Sequence, residues 1–153
     1  MKLILCVDEN LGYSFNHRRQ SRDKKMREHM LGILRKEDAG LFMNSYSEAS
    51  LIKDEVFTES ELKLRKEGQS LTGDSFLARA DEENGWAFVE NTDITEYLDK
   101  VDEMILYEWN RLYLSDLRLP AGYLKKFRKL SEEKIRGSSH DSISCSRFLR
   151  RSW

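Results

Sequence analysis

Leu3-Ile4-Leu5-Cys6-Val7 is an unbroken apolar run between Lys2 and Asp8, and a strand of that kind needs both of its faces covered, as in a parallel sheet flanked by helices. Similar runs follow at Leu41-Phe42-Met43, Trp86-Ala87-Phe88-Val89 and Met104-Ile105-Leu106-Tyr107, with Val56-Phe57 as a weaker one. Helical patterns lie between them. Met26, Met30, Ile33 and Leu34 recur at helical spacing over 21–36, with the basic residues of that stretch facing out. A short helix is expected around 48–53. Thr58-x-x-Glu61 has the capping-box pattern and opens a helix that Gly68 stops. Asp93-x-x-Glu96 caps a helix that turns Ile94, Tyr97 and Leu98 inward. Residues 69–85 are expected to form a loop or weak hairpin, and a helix after Pro120 runs to about Arg136 with Leu124, Phe127 and Leu130 as its stripe. Strands alternating with helices make an α/β fold of three layers, a mostly parallel sheet with helices on both faces.

The 153 residues suit a single domain, expected over 1–136. Gly137 to Trp153, rich in serine and arginine, is expected to be either a disordered tail or a docking arm pinned by Phe148, Leu149 and Trp153. Cys6 and Cys145 give no disulfide framework and fit a reducing compartment. No apolar stretch approaches the roughly 20 residues of a membrane span. An acid at position 8 comes too soon for a signal peptide, so the expected location is the cytoplasm, away from membranes.

Charge is arranged in blocks behind a net value of −1: +6 over 16–36, −4 over 37–67, −9 over 74–108 and +7 over 111–153. The basic faces at 16–36 (Arg18, Arg19, Arg22, Lys24, Lys25, Arg27) and 125–151 (Lys125, Lys126, Arg128, Lys129, Arg147, Arg150, Arg151) suit contacts with phosphates or an acidic partner. Interleaved acids such as Asp23, Glu28, Glu132 and Glu133 equally suit ordinary helix-surface pairing.

Open α/β sheets bind ligands outside the carboxyl ends of their strands. That rule collects Asp8 and Glu9 after the first strand, Asn44, Ser45 and Tyr46 after the second, Glu90 and Asn91 after the Trp86 strand, and Trp109, Asn110 and Arg111 after the Met104 strand. The loop after Asp8 carries Asn16, Arg18 and Arg19 and is expected to fold over the same rim. The candidate ligand-binding set is therefore Asp8, Asn16, Arg18, Arg19, Asn44, Tyr46, Glu90, Trp109, Asn110 and Arg111, with no cofactor, no metal and no catalytic group assigned. Other chemistry finds little support. Cys6 lies in an apolar strand and Cys145 near the end of the chain, so neither suggests a nucleophile. There is no P-loop and no Gly-x-Ser-x-Gly elbow. Asp8 and Glu90 would sit at one sheet edge, where mutual repulsion suits acid–base work; alternatively each accepts hydrogen bonds from Arg18, Arg19 or Arg111. Trp109 and Tyr113 beside Arg111 suit stacking on a base, or closing the core.

The order of these pieces resembles the dihydrofolate reductase fold over roughly 2–120. Leu5-Cys6-Val7-Asp8-Glu9-Asn10-Leu11-Gly12-Tyr13-Ser14 is similar to that family's first strand and mobile loop, and Val101 to Tyr107, followed by Asp116 and Pro120, to its late strand. The resemblance implies the fold, and the departures from it bear on function. Where the family shapes its pterin site with Leu-Pro-Trp and an acid on the next helix, this chain has Arg19-Gln20-Ser21, with Asp23 as the available acid. Asn44-Ser45-Tyr46-Ser47 replaces the cofactor-phosphate motif Gly-Arg-Lys-Thr. Glu90-Asn91 replaces the Gly-Gly that lets a pyrophosphate approach the backbone. These departures imply a reductase-like scaffold without nicotinamide or folate binding.

The elements Cys-Val-Asp, Phe-Asn-x-Arg-Arg-x-Ser-x-Asp, Met-Asn-x-Tyr-Ser, Phe-Val-Glu and Trp-Asn-Arg-x-Tyr, at 6–8, 15–23, 43–47, 88–90 and 109–113, also resemble a family of small Gram-positive bacterial proteins sometimes called ribonuclease Z. That nuclease chemistry needs two metals on clustered histidines, and His17, His29 and His140 are not closely paired in the sequence. Two functional classes remain open. One is a module binding a small anionic metabolite or nucleotide at the strand ends. The other is a regulatory or inhibitory protein docking on a protein or nucleic-acid partner through its charged faces.

Overall fold

The computed structural model describes residues 1–37, 40–54 and 75–152. A six-stranded sheet carries β1 (Lys2–Val7) near its centre, in the order β4 (Leu41–Phe42), β5 (Trp86–Val89), β1, β6 (Glu103–Glu108), β9 (Ile143–Arg150) and β8 (Phe127–Ile135). The four strands from β4 to β6 run parallel, and β9 and β8 are antiparallel additions. β1 pairs on both sides, Leu3 facing Ala87 on β5 and Met104 on β6. Leu3, Ile4, Leu5 and Val7 are fully buried, as a strand covered on both faces requires.

Each face has its own core. On one face α1 (Lys24–Glu37) lays Met26, Met30, Leu31 and Leu34 against Ile4, Phe88 and Ile105, joined by Leu51 of α2 (Ser45–Lys53). On the other, Phe76, Leu77 and Ala80 of α3 (Ser75–Glu83) pack on Leu3, Leu5, Ala87 and Met104. The expected α/β class, a mostly parallel sheet between helical layers, is the observed one. A three-stranded antiparallel sheet, β3 (Arg18–Arg19), β2 (Gly12–Phe15) and β7 (Leu117–Arg118), is built from the loops after β1 and β6.

Four local readings differ from the structure. Residues 75–83 form α3 rather than a loop, because Phe76, Leu77 and Ala80 share a face while the acids beside them point away. The expected helix at 93–98 is a 3-10 turn over Thr95–Lys100, with the Asp93 carboxylate accepting from the Thr95 N–H. The expected helix after Pro120 is a 3-10 turn at Tyr123–Lys126 followed by β8. Its supposed stripe breaks up, since Phe127 is buried while Leu130 sits exposed at a bulge in the β8–β9 ladder. Finally, the segment read as tail or arm contains β9, inserted between β6 and β8 with Ile143, Ser144, Cys145, Ser146 and Phe148 buried. Ser144 and Ser146 are small residues buried inside the sheet. The expected strand at 56–57 and helix from Thr58 to Gly68 lie outside the described residues, as does Trp153.

Candidate functional site

Asp8 closes β1 and organises the rim above it. Its Oδ1 accepts from the N–H groups of Asn10 and Gly12, both at 2.9 Å, and its Oδ2 from Gln20 Nε2 at 3.0 Å and the Tyr113 N–H at 3.2 Å. With its lone pairs committed to three loops and 2% exposure, Asp8 ties the rim together. The β2–β3 connection is a two-residue turn, Asn16-His17, in which both residues take positive φ, as tight hairpins demand and as Asn and His tolerate better than most. The Asn16 N–H donates to Asp116. This turn aims Arg19 over the strand ends.

Arg19 meets Glu90 there, Nε to Oε2 at 2.9 Å and Nη2 to Oε1 at 3.2 Å, and its guanidinium lies 4.1 Å from the centre of the Tyr46 ring. Glu90 Oε2 also accepts from Arg27 Nη2 at 2.9 Å. Arg27 is 1% exposed, so it does not belong to an outward basic face; burial is sustained by Glu90, Ser50 Oγ at 2.7 Å and Asp54 Oδ2 at 3.0 Å. Arg22 reaches Asp54 at 3.4 Å. Three guanidinium groups thus share two carboxylates. Glu90 pairs with arginines and not with Asp8, so the two acids form no acid–base dyad.

Asn44 caps α2 by accepting from the Ser47 N–H at 3.0 Å, and its amide donates to Asn91 Oδ1 at 2.9 Å and Thr92 Oγ1 at 3.2 Å. The Asn91 amide in turn donates to the His17 carbonyl. A chain of amides therefore links the start of α2, the end of β5 and the hairpin turn.

A second cluster lies at the end of β6. Trp109 stacks on His140, with ring centres 4.5 Å apart. His140 Nδ1 is 3.1 Å from Asp23 Oδ2, and Nε2 is 3.1 Å from Ser21 Oγ and 3.0 Å from the Tyr113 hydroxyl. Asp23 also accepts from the N–H groups of Met26, Ser138 and Ser139. Burial alone would raise its carboxyl, but these backbone donors together with His140 hold it well below the usual carboxylate range. Gly137 fits here because a Cβ would stand 2.4 Å from Asp23 Oδ2.

The structure thus gathers Asp8, Arg19, Asn44, Tyr46 and Glu90 at the rim with Trp109 beside them, while Asn16 serves the turn. Asn110 instead holds the Ser142 carbonyl and Ser144 Oγ. The Arg18 and Arg111 side chains are exposed. Ser21 and His140 were not candidates in the sequence reading, which had Arg27 only on a basic face and Tyr113 only as a stacking or core-closing aromatic. Arg27 is indistinguishable from its surface neighbours in a basic block, and His140 lay in a segment read as a tail. Burial pushes the Cys145 thiol up to about 11 and raises Cys6 as well, which leaves both as packing groups. No set of three metal-ligating side chains converges among the described residues.

No family model matches the chain, and no curated protein matches it. A solved structure of dihydrofolate reductase from Enterococcus faecalis, complexed with NADP(H) and RAB-propyl, is similar at a TM-score of 0.60 and 12% identity, over 99% of this chain and 96% of that one. The likeness establishes a dihydrofolate-reductase-like fold, and it extends through the β8–β9 hairpin beyond residue 120. Among the described residues no helix is long and apolar enough to cross a membrane.

Proposed function

We propose that the protein binds a small anionic metabolite or nucleotide at the strand ends, on a reductase-like scaffold used for something other than hydride transfer to folate. The observation that carries this reading is the cluster beside Tyr46 in which three guanidinium groups share two carboxylates. Among the described carboxylates, Arg19, Arg22 and Arg27 face only Glu90 and Asp54, so an arriving carboxylate or phosphate completes the charge balance of that cluster. Arg19 is held by its two bonds to Glu90 and by Tyr46, a preorganised guanidinium whose binding costs little side-chain entropy.

The residues present do not fit a nicotinamide dinucleotide or a pterin. Asn44 and Asn91 bond each other where a pyrophosphate would approach the backbone, and the Glu90 and Asn91 side chains stand where that approach needs glycine. Asp23, the acid available to a pterin, is already filled by Ser138, Ser139 and His140.

A thermal-shift screen of phosphate- and carboxylate-bearing metabolites tests the reading. Stabilisation by at least one such compound, lost in Arg19→Ala, is expected, with nicotinamide cofactors and folates silent. A flat response across the whole screen would sink it.

The exposed side chains favour a second reading. Phe15, Leu112 and Leu114 are 42%, 62% and 72% exposed, and Arg128, Arg150 and Arg151 line an open cleft of about 200 Å³ with Leu149. Docking on a protein or nucleic acid through these surfaces predicts a partner captured from extract at low salt and lost at high salt. Capture that survives high salt counts against it.

A further inference from the structure

We propose that Ser21, His140 and Asp23 form an acyl-transfer site that hydrolyses small carboxylic esters. The three side chains stand in the order nucleophile, base, carboxylate, with 3.1 Å at each step. Asp23 is acceptor-only, so it accepts a hydrogen bond from the proton on His140 Nδ1 and leaves Nε2 to the hydroxyls of Ser21 and Tyr113. Trp109 holds the ring plane by stacking. The N–H groups of Met26, Ser138 and Ser139 hold the carboxylate, and Gly137 leaves room for it. Support of this kind on both sides of the histidine is what a working base requires. Ser21 is only half-buried, which leaves its Oγ reachable, whereas His140 and Asp23 are buried. The Tyr113 hydroxyl also lies on Nε2, at 3.0 Å, so it shares that lone pair with Ser21 in the resting site and must turn off it to donate to the developing oxyanion. Asp8 positions this edge by binding Gln20 and the Tyr113 backbone.

In the first step Ser21 Oγ bonds to the ester carbonyl carbon and its proton passes to His140 Nε2. The tetrahedral intermediate then expels the alkoxide, which takes that proton and leaves as the alcohol. Water next attacks the acyl-Ser21 carbon, giving a proton to Nε2. Ser21 departs with that proton and a carboxylic acid is released. The sum is ester plus water to acid plus alcohol, with no other reactant.

The full chain is treated with a fluorophosphonate probe, and the adduct is located by peptide mass spectrometry. One phosphonyl group on Ser21 is expected, absent in Ser21→Ala and formed about 10³-fold more slowly or worse in His140→Gln. Because His140→Gln also cuts the anchor of the 137–140 loop, Ser21→Ala decides: it removes one oxygen, is expected to melt like the parent, and must abolish both labelling and p-nitrophenyl acetate turnover. A folded parent chain that stays unlabelled where a serine hydrolase control is labelled overturns the proposal. So does undiminished labelling of Ser21→Ala. Neither result depends on anion binding at Arg19.

Discussion

Glu90 sits between two guanidinium groups, one of them 1% exposed, and the cost of removing it follows from what is left behind. Glu90→Ala strands Arg19 and Arg27 without their shared counter-charge, a loss of about 3–5 kcal/mol by the usual measure for a broken buried pair. Urea unfolding reads this, and a loss below about 1 kcal/mol would show that the pair is not desolvated. Asp23 gives a pH signature. Its native carboxyl is depressed by backbone donors and His140, so its stabilising contribution is full above the ordinary value near about 4 and is withdrawn as acidification carries the pH down through the native value. The urea midpoint is expected to fall on acidification below about pH 4, and Asp23→Asn to flatten that fall while lowering stability at neutral pH. Asp8 and Glu90 were legible in the sequence as acids following strands, and Arg19 was among the partners expected for Glu90. Arg27 was not, because a basic block gives no sign of which arginine turns inward, nor were the amide donors that hold Asp8.

At the scale of elements, α2 depends on Asn44, which caps the helix and bonds Asn91 with the same side chain. Asn44→Ala is expected to cost about 1 kcal/mol through the cap and to free the hairpin from β5. The check is faster amide exchange in α2 and at the His17–Arg19 edge. Helix α1 and strands β1, β5 and β6 were legible because apolar spacing fixes which face is covered. Helix α3 was missed beside an acidic run. Strand β8 was read as a helix because Leu124, Phe127 and Leu130 mimic helical spacing, although the backbone pairing with β9 decides the conformation.

For the whole molecule, the charge blocks resolve into contacts across the fold. Arg19 and Arg27 of the first basic block meet Glu90 of the acidic middle, and Arg147 of the basic end meets Glu103 and Glu37. Part of the apparent polarity of the chain is therefore spent on holding itself together. The end of the chain is equally internal. Truncation before residue 137 removes β9 from between β6 and β8 and the His140 anchor from Asp23, so cooperative unfolding is expected to vanish. A truncated chain that still melts cooperatively would mean that the sheet closes without β9.

By itself the sequence determined the layered α/β class, the buried first strand, the polar strand ends and the departures from a dinucleotide site, since these follow from local apolar periodicity and from the chemistry of single residues. The tertiary structure alone decided that residues 143–150 complete the sheet, that Arg27 is buried, and that Ser21, Asp23 and His140 meet. The contacts of Arg27 with Glu90 and of His140 with Ser21 and Asp23 join residues about 60 to 120 positions apart, and β9 is fixed by its pairing with β6 and β8; such contacts leave no period, spacing or composition for the chain to display.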